Sequence, residues 1–133
     1  MIVLDTSVLI SAALFPGSVP DQAVICAFEH FDVAASSAML AELKASLEKP
    51  KHQQYANVEK RLQFYEIFRA NTRAIKVTES ITACRDPKDD MVLELAVASG
   101  SLIIVSGDKD LLTLSPFRGI EILSPRQFMA EFQ

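Results

Sequence analysis

Two short, wholly apolar runs constrain this chain more than any other feature. Ile2-Val3-Leu4 ends at Asp5, and Leu102-Ile103-Ile104-Val105 is followed by Ser106-Gly107-Asp108. Unbroken aliphatic runs suit strands covered on both faces, as in a parallel sheet flanked by helices. In open α/β sheets the crevice beyond the carboxyl ends of the strands is where ligands bind. A carboxylate at the end of a buried strand is costly unless something compensates it. Asp5 and Asp108 are therefore the first candidates for chemistry, although an Asp in that place serves equally as the N-cap of the next helix.

The rest of the chain alternates helix and strand signals. Thr6 and Ser7 can open a helix through Val8 to Leu14, which Pro16-Gly17 stops. A second helix starts near Pro20-Asp21, with Val24, Ile25, Ala27 and Phe28 on one side. Val33-Ala34-Ala35 reads as a strand, and Ser36-Ser37 opens a helix from Ala38 to Leu47. Residues 51–54 read as a loop. Val58, Leu62, Tyr65 and Phe68 recur at helical spacing between Asn57 and Asn71, and Ala74–Val77 reads as a strand. Asp86 as N-cap, Pro87 at the first position and Gly100 at the end delimit a fifth long helix. A short helix at Leu111-Leu112, a strand over Ile120–Leu123 and a terminal helix opened by Ser124-Pro125 complete the pattern. The expectation is a three-layer α/β/α, Rossmann-like domain with a central parallel sheet of four to five strands, residues 1–133 forming one domain.

Composition narrows the function classes. Half of the 133 residues are apolar, with 4 Gly and 6 Pro, which is globular rather than disordered. No basic, signal-type segment follows Met1, and no apolar run approaches the roughly 20 residues of a membrane span. A cytoplasmic protein with no membrane attachment is expected. Cys26 and Cys84 are isolated and expected to be reduced, and His30 and His52 have no Ser, Cys or His partner in motif spacing. That excludes Cys/His metal sites and His-based acid–base catalysis. The net charge of −4 is uneven: Lys44–Lys76 carries eight Lys or Arg against three Glu, a balance of +5, and the remainder is at −9. A solvated helix pair explains this, and so does a basic arm for a polyanion beside an acidic centre.

Further carboxylates stand near element ends. Glu42 lies at the edge of the Leu40-Leu43-Leu47 stripe, Asp86, Asp89 and Asp90 open the fifth long helix, and Asp110 follows Asp108. Gathered at one sheet edge, such groups would repel or raise one another's pKa. Hard divalent cations relieve this, because Mg²⁺ and Mn²⁺ prefer oxygen ligands. A metal so held can activate water and neutralise a phosphodiester. The chemistry indicated is metal-dependent phosphodiester hydrolysis.

The order of these motifs resembles the PIN domain over nearly the whole chain. The residues concerned are Asp5-Thr6-Ser7 after an apolar strand, Ala41-Glu42-Leu43 in a helix, Asp86-Pro87-Lys88-Asp89-Asp90 at a helix start, and Val105-Ser106-Gly107-Asp108-Lys109-Asp110. Within the family the chain is similar to the VapC-type toxins that carry D-P-x-D and G-D-x-D-L motifs. The resemblance implies a ribonuclease that uses one or two Mg²⁺ or Mn²⁺ ions, with Asp5, Glu42, Asp89 and Asp108 as the catalytic acids. Asp5, Asp89 and Asp108 would be metal ligands, and Glu42 would hold or deprotonate the attacking water. Thr6, Ser7 and Ser106 would support Asp5 and Asp108 through their hydroxyls.

The third acid is a choice among neighbours. Counting back from Gly100, as the family motif does, selects Asp89, which shares a face with Leu93, Ala96 and Val97. Asp90 falls on the Glu94 stripe, which reads as solvated, and Asp86 reads as a supporting cap. Asp110 either assists Asp108 or belongs to the next turn. Lys44, Lys49, Lys51 and Arg73 are the candidate RNA-positioning cations. The family resemblance further implies a small antitoxin partner and a homodimer, for which Phe15, Phe64 and Phe68 are the internal candidates if exposed. Two alternatives remain: a haloacid-dehalogenase-like phosphatase and a non-catalytic RNA-binding module. The phosphatase chemistry wants an acid two residues after Asp5, where Ser7 stands, and the module reading has to explain why every acidic position is filled.

Overall fold

The computed structural model describes residues 1–133. In chain order β1 (Ile2–Leu4) leads into α1 (Thr6–Leu14), α2 (Val19–His30), β2 (Ala34–Ala35) and α3 (Ser37–Leu47). A 3₁₀ turn at Pro50–His52 precedes α4 (Val58–Asn71), β3 (Arg73–Ala74) and α5 (Pro87–Ser99). Then follow β4 (Ile103–Val105), α6 (Lys109–Leu112), β5 (Glu121–Leu123) and α7 (Pro125–Phe132).

Local chemistry explains most of the boundaries. The side chains of Ser18, Ser36, Asn57 and Asp86 each accept a hydrogen bond from a backbone N–H in the first turn of the helix they precede. Ser124 and Gln127 form a reciprocal capping box at the start of α7. Gly100 ends α5 in the left-handed conformation, φ 66°, where a side chain would be strained.

All strand pairs run parallel. β4 is central, flanked by β1 (Leu4 opposite Val105) and β5 (Val105 opposite Leu123). β2 and β3 pair separately, and a single bridge between Ile2 and Val33 joins the two sheets across β1. The result is five parallel strands in the order β3-β2-β1-β4-β5, the α/β arrangement expected. α5 lies against β1, β2 and β4, while α2 packs between α1 and α7. Leu4, Leu9, Leu93, Leu95 and Ile104 are fully buried at the centre. No single helix is long and apolar enough to cross a membrane.

Four local expectations change. The third strand is Arg73–Ala74 rather than Ala74–Val77, because β2 offers only two residues to pair with. Leu102, at 66% exposure, lies outside β4, which starts one residue later. On α4 the buried stripe is Arg61, Tyr65 and Phe68, while Val58 is exposed. Arg61 therefore leaves the basic surface. Its Nη1 donates to the carbonyls of Leu47 (2.8 Å) and Lys49 (2.9 Å), and Nη2 donates to Gln53 Oε1 (3.3 Å). Finally, the face of α5 that carries Asp90 and Glu94 is covered rather than solvated, because the irregular segment 75–86 folds over it. Ile81 N–H donates to Glu94 Oε2 (2.8 Å), and Asp90 is 7% exposed.

Candidate metal centre

The parallel register places the C-terminal ends of β1 and β4 side by side, so Asp5 and the Ser106–Asp110 turn arrive together. Asp5 occupies the N-cap position of α1, yet its carboxylate makes no capping bond. It is held by hydroxyls instead. Ser106 Oγ donates to Asp5 Oδ2 at 2.7 Å and Ser7 Oγ donates to the same oxygen at 3.0 Å, while Thr6 Oγ1 reaches Oδ1 only at 3.5 Å. Ser106 is fully buried and also accepts the Asp108 N–H at 3.0 Å. One serine thus ties the acid of β1 to the acid after β4.

Asp108 Oδ1 accepts the Asp110 N–H at 2.8 Å, which caps α6 and fixes the carboxylate. Asp89, on the first turn of α5, faces this turn. One carboxylate oxygen from each of Asp89, Asp108 and Asp110 lies within 4.8 Å of the others. The Asp89 carboxyl is pushed up to about 6, first by burial and then by the charges of Asp108, Asp5, Asp86 and Asp110. Its surroundings offer it negative charge and no compensating hydrogen bond.

Glu42 stands outside that group. Its Oε1 is 3.3 Å from Lys88 Nζ and accepts from Ser46 Oγ at 3.3 Å, which keeps it beside the start of α5. Asp86 accepts the Lys88 N–H at 3.0 Å and serves as the cap. Asp90 Oδ1 accepts the N–H groups of Ala83 (3.0 Å) and Cys84 (2.8 Å), which hold its pKa below the ordinary carboxylate value. The clustered donors are all oxygen atoms, and burial together with like charges raises the pKa of one of them. That set suits a hard divalent cation and no softer metal.

Comparison with known proteins supplies the family. The family profile described as PIN domain matches residues 1–110. The chain belongs to the PIN-domain family. The protein MJ1680 of Methanocaldococcus jannaschii is 29% identical over 142 residues, covering 99% of this chain and 91% of its own. Among solved structures, PAE2754 from Pyrobaculum aerophilum superposes with a TM-score of 0.67 at 12% identity, covering 98% of this chain and 93% of its own. VapBC2 from Rickettsia felis, solved bound to a DNA fragment from its promoter, gives 0.64 at 14% identity, with 93% and 98% covered. FitAcB from Neisseria gonorrhoeae gives 0.56 at 18% identity, with 95% and 99% covered.

In this PIN domain the sequence-derived acids fall into two groups. Asp89 and Asp108 converge with Asp110, Asp5 stands outside that 4.8 Å group and is tied to it through Ser106, and Glu42 approaches the start of α5 from α3 through its contact with Lys88. The nearness of Asp110 was legible only as a possibility, because the tight turn into α6 brings its carboxylate back toward Asp108. Lys44, Lys49, Lys51 and Arg73 are exposed, and Arg73 pairs with Asp32 at 3.3 Å. Phe68 is buried, and Phe15 is exposed with its ring edge-on to Tyr55 at 5.0 Å.

Proposed function

We propose that this PIN domain is a Mg²⁺- or Mn²⁺-dependent endoribonuclease, and that it acts as the toxin of a toxin–antitoxin pair in the cytoplasm. The observation that carries the reading is the convergence of Asp89, Asp108 and Asp110 within 4.8 Å, next to an Asp5 held by Ser106 and Ser7. Asp5, Asp89 and Asp108 are the proposed metal ligands, with Asp110 able to substitute or assist. When bound, one or two divalent ions supply charge neutralisation at a phosphodiester and activation of a water nucleophile.

The chain's own groups do the rest. Ser106 and Ser7 fix the rotamer of Asp5, and Ser106 fixes the backbone of Asp108, so the carboxylates need not reorganise as charge develops. Glu42, half-buried and paired with Lys88, is the proposed group that orients or takes a proton from the attacking water. Lys44, Lys49 and Lys51 offer phosphate contacts beyond the centre, and these carry no sequence information.

An antitoxin partner is supported by the apolar groove between α2 and α4, about 570 Å³, lined by Phe28, Phe31, Phe64 and Phe68 with Ile25 and Ile67 exposed at its rim. VapBC2 and FitAB, among the structural neighbours, are complexes solved on DNA. A homodimer, as is the family habit, is part of the same proposal. A phosphatase of the haloacid-dehalogenase kind is disfavoured, because Ser7 holds Asp5 where an acid would be needed.

The test is incubation of the purified protein with single-stranded and structured RNA in Mn²⁺ and in EDTA. Cleavage in Mn²⁺, its loss in EDTA and its loss in Asp5→Asn are expected. Cleavage that survives EDTA or the Asp5→Asn change overturns the reading.

A further inference from the structure

The acidic centre carries its own cation. Arg85 Nη2 donates to both carboxylate oxygens of Asp110, at 2.8 and 3.1 Å. Asp110 in turn stands within 4.8 Å of Asp89 and Asp108. The Arg85 side chain is 87% exposed, and so open a pair adds little to stability.

The backbone leading to Arg85 is nevertheless held firmly. Segment 75–86 has no regular structure, yet Asp90 accepts the N–H groups of Ala83 and Cys84, and Glu94 accepts that of Ile81. Two acids of α5 are thus committed to fixing the residues just before Arg85. Asp90, beside Asp89 in sequence, works here as a backbone clamp. A second cation, Lys88, sits on the same helix start against Glu42.

We propose that Arg85 is a substrate-phosphate contact, preorganised at the acidic centre by Asp90 and parked on Asp110 in the absence of RNA. The proposal rests on the nuclease reading above and names how that site recognises the RNA backbone. Both bonds to Asp110 come from Nη2, so the Nη1 and Nε donors are left for a phosphate oxygen. The planar guanidinium fork matches phosphate geometry, which a lysine ammonium meets only as a point charge. A cation bound by Asp110 competes with Arg85 for that carboxylate, so loading of the acidic centre releases the guanidinium toward substrate.

Opposite signs for metal and RNA make the test specific. Binding of a fluorescein-labelled single-stranded RNA is followed by anisotropy over a KCl series, with Ca²⁺ replacing Mg²⁺. Mn²⁺ binding without RNA is followed by calorimetry, and a thermal melt checks folding of each variant. Arg85→Gln is expected to weaken RNA binding about tenfold and to flatten the log K against log salt slope by about 0.7. Arg85→Lys keeps the slope and recovers part of the affinity. Mn²⁺ affinity of Arg85→Gln rises about twofold to fivefold, because a competing cation has gone. Glu79→Ala, which removes the exposed Glu79–Arg118 pair on the same segment, leaves RNA binding unchanged.

An unaltered slope and affinity in a folded Arg85→Gln overturn the phosphate assignment alone. Weaker Mn²⁺ binding with unchanged RNA binding also overturns it, since Arg85 then only orders Asp110. A wild-type protein that neither binds nor cleaves RNA overturns the nuclease reading, and this inference with it.

Discussion

Asp89 is where the metal-free site is under most electrostatic stress, and replacing it with Asn should relieve that stress. Its carboxyl is raised from 3.8 to about 6. A shift of about two units corresponds to about 3 kcal/mol, and solvent at the mouth of the site reduces this to about 1–2 kcal/mol. The sign follows from proton linkage. The folded state holds the Asp89 proton more tightly than the unfolded chain does, so the contribution of this group to stability falls as pH rises from about 4 through about 6. Above that window wild-type protein carries an ionised, uncompensated carboxylate. Metal-free Asp89→Asn is therefore expected to be more stable than wild type at pH 8, by about 3–8 °C in Tm, and no different near pH 4. Thermal melts in EDTA across that range measure it. Mn²⁺ at about one hundred times its Kd should then stabilise wild type by about 2.7 kcal/mol and the variant far less. A variant that is less stable than wild type at pH 8 in EDTA, or one that gains equally from Mn²⁺, refutes the reasoning.

Three other perturbations follow from the same structure. Ser106→Ala removes the donor to Asp5 and the acceptor of the Asp108 N–H at a fully buried position, so denaturant unfolding should show a loss of about 1–3 kcal/mol. Calorimetry should show Mn²⁺ affinity lowered about tenfold to a hundredfold. Arg61→Ala strips the carbonyls of Leu47 and Lys49 of their donor and leaves a void under the 3₁₀ turn; urea titration should show a loss of about 3 kcal/mol. The Cys84 thiol is pushed up to about 12 by burial and by its hydrogen bond with Asp90, and burial also raises Cys26. Neither should react with a disulfide reagent at pH 8 until the protein unfolds, which a stopped-flow or slow spectrophotometric assay reads directly.

What the sequence showed and what it hid have physical causes. Features set by neighbours along the chain were legible: the helix openings at Ser36, Asp86 and Ser124 and the Gly100 stop; the hydroxyl support of Asp5 by Thr6 or Ser7 came from the family resemblance, and Ser7 makes the shorter contact. The apolar runs at β1 and β4 carried enough to place Asp5 and Asp108 at one edge. The bond from Ser106 to Asp5 spans 101 residues and depends on the register of those strands, so it had no local signal, and the family resemblance named Ser106 only as a supporting hydroxyl before Asp108. The choice of Asp89 over Asp90 rested on the family motif's count back from Gly100, with helical phase in agreement, and the structure turns Asp89 toward Asp108 while Asp90 clamps the segment before α5. That clamp had no local signal, because it depends on the path of an irregular segment. Arg61 did have one: it stands four and seven residues before Tyr65 and Phe68, on the buried stripe of α4, where its charge argued for the surface. Carbonyls at a helix end and the turn after it take the place of a carboxylate partner.

The central claim is that these carboxylates form one cation site at the sheet edge. A crystal soaked in MnCl₂ and measured at the manganese absorption edge tests it most directly. An anomalous peak is expected at about 2.2 Å from carboxylate oxygens of Asp89 and Asp108, with Asp5 or Asp110 completing the protein ligands, and no such peak in Asp89→Asn. A peak elsewhere, or none in crystals whose carboxylates are ordered and accessible, contradicts it.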